Sequence, residues 1–125
     1  MGISLSLGRN QRIRSKGDFL SLRHQGSSRA HPLLVLRAVP NSLGITRFGF
    51  VVSKRVSMKA VDRNRVRRRL REIVRQAPVL KGWDQLLIAR KSIVEADFQS
   101  IRRVVLGLEQ RMGLLEKPSG GNARN

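Results

Sequence analysis

The chain has 125 residues, with 26 Lys and Arg against 8 Asp and Glu and a net charge of +18. That length and a 40% hydrophobic fraction fit one domain with a modest core rather than a disordered chain. The absence of Cys and the presence of two His, His24 and His31, exclude a disulfide framework, a thiolate metal centre and a zinc site built from these side chains alone. No apolar run approaches the ~20 residues of a membrane helix, and no charged segment followed by an apolar one opens the chain. We expect no signal peptide, no membrane and a reducing cytoplasm. Met1-Gly2-Ile3-Ser4-Leu5-Ser6 formally matches a myristoylation pattern, one too short to be specific.

Residues 1–11 read as a loose lead-in. Ser15 to Gly26 reads as a short helix, with Ser15 or Asp18 at its start, Phe19 and Leu22 on one face, and Gly26 at its left-handed end. Ser27 to His31 suits a short edge strand before Pro32. Leu33 to Val39 is a strand, Pro40 to Gly44 has turn chemistry, and Thr46 to Ser53 is the next strand. In that strand Phe48, Phe50 and Val52 alternate with Gly49, Val51 and Ser53 across two faces. The two strands read as an antiparallel pair.

From Val61 to Ala77 the period becomes helical. Val66, Leu70, Ile73, Val74 and Ala77 form an apolar stripe. Opposite them, Asn64, Arg68, Arg71 and Arg75 span about 60° of the surface at ~100° per residue. Arg65 and Arg67 flank them, while Arg63 and Arg69 lie nearer the stripe, close enough to snorkel. Pro78 stops the helix. Lys81 to Asp84 reads as a loop, Gln85 to Arg90 as a buried strand, and Ala96 to Met112 as a final helix with Phe98, Ile101, Val105 and Leu108 inward. Asp97 or Glu95 sits where a helix start favours a carboxylate. Residues 1–116 are read as a single domain and 117–125 as a disordered tail. The order α-β-β-β-α-β-α predicts an α+β sandwich, helices packed on a small sheet.

Chemistry concentrates in Lys54 to Arg75, where ten cations face Asp62 and Glu72, a net +8 in 22 residues. A core does not accept unpaired charge at that density, and two carboxylates neutralise few of the cations by i, i+4 pairing. Eight of the ten are Arg, whose planar fork matches phosphate oxygens. The stretch therefore reads as a nucleic-acid surface. A DNA-reading zipper needs heptads after its basic helix, whereas Pro78 and Gly82 follow here. A self-sufficient metal nuclease needs clustered carboxylates. Among Asp18, Asp62, Glu72, Asp84, Glu95, Asp97, Glu109 and Glu116, just Glu95 and Asp97 are close in sequence, and they read as helix-start residues. No catalytic side-chain constellation and no protein metal site are expected. Core packing is the default reading of Phe19 and a base-stacking platform the alternative, while Phe48, Phe50 and Phe98 have core periodicity.

Arg63-Asn64-Arg65-Val66-Arg67-Arg68-Arg69-Leu70-Arg71 resembles the RNR signature of the bacterial ribonuclease P protein family. The resemblance extends to Gly49-Phe50-Val51-Val52-Ser53-Lys54-Arg55 with Ala60-Val61, to Asp18-Phe19 with Gly26, and to Leu87-Ile88-Ala89-Arg90-Lys91, about residues 12–110 in all. It implies a mixed four-stranded sheet with a left-handed βαβ crossover, the ribosomal protein S5 domain 2-like fold, against the usual right-handed rule. It also implies the protein subunit of an RNA enzyme, an endonuclease that removes the 5′ leader of precursor tRNA. Catalysis would lie in the RNA, using Mg2+ bound mainly by RNA and substrate, with one protein per catalytic RNA. By the same resemblance Lys54, Arg55, Arg63, Asn64, Arg65, Arg67, Arg68 and Arg71 face RNA. Phe19, Arg23, Leu36 and Arg37 belong to the leader-binding cleft, with Arg23 and Leu36 standing where the family often has aromatics. The competing readings are a general RNA-binding or ribosomal protein of similar fold and a protein-only nuclease.

Overall fold

The computed structural model describes residues 26–117. The predicted first helix, with Phe19 and Arg23, lies outside them, as does the tail beyond Lys117. The elements are β1 (Ser27–Ala30), β2 (Leu34–Pro40), β3 (Arg47–Val51), α1 (Ala60–Gln76), β4 (Trp83–Ala89), a 3₁₀ turn (Lys91–Glu95) and α2 (Phe98–Arg111). They build a four-stranded mixed sheet in the order β1-β2-β4-β3. β1 is the exposed edge strand.

The expected antiparallel pairing of β2 with β3 is corrected. β4 lies between them, antiparallel to β2 and parallel to β3. The physical reason is burial. β4 has five buried residues of seven, and Leu86 and Leu87 point to opposite faces with no exposed surface. A strand apolar on both faces belongs inside a sheet. The Pro40–Gly44 turn does not close a hairpin but carries the chain past the start of β4. There the Asn41 N–H donates to Gly82 O (2.8 Å) and the Gly82 N–H to Ile45 O (3.2 Å). β4 also starts earlier than expected, because Trp83 and Asp84 pair with Pro40 and Val39.

The apolar stripe of α1 holds in the fold, with Val66, Leu70, Ile73 and Val74 buried. They pack with Ile101, Val105 and Leu108 of α2 on the sheet face carrying Leu34, Leu36, Ala38, Phe48 and Leu87. The opposite sheet face carries Leu86 with Val39, Val51 and Ile88. Arg90 N–H donates to Leu33 O (2.9 Å) and Ser92 Oγ to Pro32 O (2.6 Å), which seats the 3₁₀ turn at the end of the sheet. After α2, Gly113 takes φ +72° and the Leu114 N–H reaches back to Glu109 O (2.9 Å), a left-handed helix end. Leu114 then enters the core.

Candidate nucleic-acid interface

The loop before α1 is tied to the helix by its own side chains. Ser57 Oγ donates to Asp62 Oδ2 (2.9 Å) and accepts from the Lys59 N–H (3.1 Å). Arg63 Nη1 donates to the carbonyls of Ser57 (2.9 Å) and Met58 (3.0 Å). Arg67 donates to Val52 O at the end of β3 (3.0 Å) and to Asn64 Oδ1 (3.1 Å). Toward the 3₁₀ turn that precedes α2, Arg69 donates to Ala96 O (3.0 Å) and Arg65 to Val94 O (3.4 Å).

Most of these acceptors are neutral backbone carbonyls. They hold these guanidiniums in place without themselves neutralising the charge. A polyanion then meets cations whose side-chain entropy is already reduced. Carboxylates engage few of them: Arg65 lies 3.5 Å from Asp62, and Arg75 pairs with Glu72. That carboxylate raises the Arg75 pKa, through hydrogen bonding first and charge second. Asn64, Arg68, Lys54, Arg55 and Lys59 are exposed, whereas Arg71 is half-buried rather than fully on the outer face.

The parallel register adds two cations that sequence reasoning had not assigned to the site. Val51 pairs with Ile88, so β3 and β4 end together. Arg55 after β3 therefore meets Arg90 and Lys91 after β4 around a pocket of about 750 Å3, floored by Val51, Val56 and Ile88. The sequence signal was the basic pair closing a buried strand. Its meaning required knowing which strand ends beside it.

The assignment of Leu36 to the leader cleft is corrected. Its side chain has no exposed surface and packs in the core between sheet and helices. Period-two alternation turns Arg37 to the other face, where it pairs across from Leu86 and is half-buried. The two residues cannot line one wall. Among the described residues, no three His, Asp or Glu side chains converge as a metal site, and no helix is long and apolar enough to cross a membrane.

A small α+β domain that presents an arginine helix held largely by backbone carbonyls has the kind of surface a polyanion-binding protein requires. A family model described as Ribonuclease P matches residues 7–113. The chain is 38% identical over 111 residues to the ribonuclease P protein component of Roseiflexus castenholzii, covering 86% of this chain and 90% of that one. It is also 38% identical to the same component of Herpetosiphon aurantiacus, covering 89% and 94%. Its fold is similar to the RNase P protein of Thermotoga maritima, with TM-score 0.73, 33% identity and coverage of 80% and 96%. It is likewise similar to that of Staphylococcus aureus, with TM-score 0.76, 25% identity and coverage of 85% and 98%. The chain belongs to the ribonuclease P protein component family, the protein part of a ribonuclease that processes tRNA.

Proposed function

We propose that this chain is the non-catalytic protein subunit of an RNA-based ribonuclease P. α1 and the Lys54–Arg55 turn bind the catalytic RNA. Arg63, Arg65, Arg67 and Arg68 supply phosphate contacts, and Asn64 offers its amide beside them. The 5′ leader of precursor tRNA follows the sheet face that bears Arg37 toward the pocket of Arg55, Arg90 and Lys91. Mg2+ is held by RNA and substrate, and it supplies the Lewis acid and activated water of hydrolysis when bound. The chain's own residues screen phosphate repulsion and position the leader.

The observation that carries this reading is the set of arginines oriented by backbone carbonyls, with charge left free for phosphate. The test is precursor-tRNA cleavage at ~2 mM Mg2+, where phosphate repulsion is poorly screened. Protein alone, catalytic RNA alone and the two together are compared. Cleavage accelerated by the mixture supports the reading. Cleavage by protein alone assigns the chemistry to side chains, and no gain from the mixture leaves an RNA-binding domain with another task.

A further inference from the structure

α2 carries a second feature, on the flank that faces the β1–β2 turn. A groove of about 460 Å3 opens between that turn and the helix. Its floor is apolar, from Leu33, Val104 and Leu108, and Arg103 and Arg111 stand on its rim. Gly107 lies in the floor at mid-helix, a position where Gly weakens a helix. Packing does not require it: a Cβ there meets nothing within 4 Å. The missing side chain leaves open space above the floor.

The rim is cationic and poorly compensated. Arg103 donates to Ser100 Oγ (3.3 Å), and its pull on the Asp97 carboxylate is the least of the influences there, the Ser100 hydrogen bond being the first. Arg111 is exposed and has no side-chain partner among the described residues. Eight residues separate the two, about 12 Å along the helix. His31 Nδ1 accepts the Leu33 N–H (3.0 Å), so its Nε2 carries the proton and is left as a donor at the same groove. An apolar floor between two cations offers a base an apolar surface to lie on and its flanking phosphates a guanidinium on either side. Charge complementarity favours single-stranded RNA over an uncharged or basic partner.

We propose that the α2 groove over Gly107 is a second RNA-contact site, one that seats an unpaired base with its flanking phosphates on Arg103 and Arg111. The site rests on the RNA-subunit reading but lies on a different helix from the arginine face of α1. It gives the protein two separate grips on RNA.

The test is amide NMR of the isotopically labelled full chain, titrated with a uridine trinucleotide, inorganic phosphate or an acidic hexapeptide. The expected result is saturable shifts at Gly107 and Val104 with the trinucleotide and not with phosphate. Gly107→Leu fills open space and removes a helix-weakening residue, so it folds. It should weaken the groove response about fivefold or more, because the added side chain fills the space the base would occupy, while the Arg68 amide responds as before. Shifts at Arg68 without shifts at Gly107 overturn the groove and leave the α1 reading standing. Shifts at neither overturn both. Equal shifts with phosphate reduce the groove to a charge effect, and shifts with the peptide alone make it a protein contact. Either result overturns the proposal.

Discussion

Glu109 has no exposed surface, and neither its carboxylate nor the buried Gln85 amide beside it has a hydrogen-bond partner of ordinary geometry. Burial pushes the Glu109 pKa up from 4.5 to about 8, against a smaller opposing pull from Gln85. The folded carboxyl therefore keeps its proton between those values, while the unfolded one releases it. The folded state binds the extra proton, so stability falls as pH rises from about 4.5 toward 8, by up to about 1.4 kcal/mol per unit. Glu109→Gln should flatten that dependence and stabilise the protein at pH 8 relative to the parent, as urea denaturation at acid, neutral and alkaline pH would show. A parent-like slope in the variant would place the titration elsewhere. A second residue prediction concerns Arg68, which is exposed and without a side-chain partner among the described residues. Arg68→Ala should leave the melting temperature nearly unchanged and lower the salt slope of RNA binding by about one unit, at ~0.9 per phosphate. An unchanged slope would mean that the RNA does not reach this face.

Among elements, the β3–β4 pairing is the joint on which the site depends. Arg47 and Asp84 face each other in register, with Arg47 Nε to Asp84 Oδ1 at 2.9 Å and Nη2 to Oδ2 at 2.6 Å. Asn41 Nδ2 also donates to Oδ1 (2.7 Å), so the carboxylate clamps both neighbouring connections. Both side chains are largely buried, at 17% and 7% exposure. Asp84→Ala removes this largely buried ion pair together with the Asn41 hydrogen bond, and should cost about 3–5 kcal/mol in chemical denaturation. A loss within ~0.5 kcal/mol would show that strand packing alone sets the register. This same joint brings Arg90 and Lys91 beside Arg55, so part of the candidate site's charge depends on an ion pair at the other end of the two strands.

For the whole molecule, charge decides the balance. A net +18 on 125 residues destabilises the compact state by self-repulsion. Any polyanion that binds the folded state then stabilises it by mass action. Sulfate or short RNA should raise the melting temperature more than chloride does at equal ionic strength. Equal effects would assign the gain to screening alone.

The features legible in the sequence are those set by local geometry. The 3.6-residue period of Val66, Leu70, Ile73 and Val74 located α1 and its buried face. The arginine density around Arg63 to Arg71 excluded a core position and indicated a polyanion. What tertiary structure alone decided concerns partners distant in the chain. Strand order followed from which strand is buried on both faces, so β4 entered between β2 and β3. That order fixed which cations share a pocket. It also sent Leu36 inward and Arg37 to the opposite face, a distinction that reverses with one residue of register. The carbonyls that orient Arg67 and Arg69, and the burial of Glu109 against Gln85, likewise come from segments far away in the chain. Periodicity states which side of an element is apolar, and packing between elements determines what that side meets.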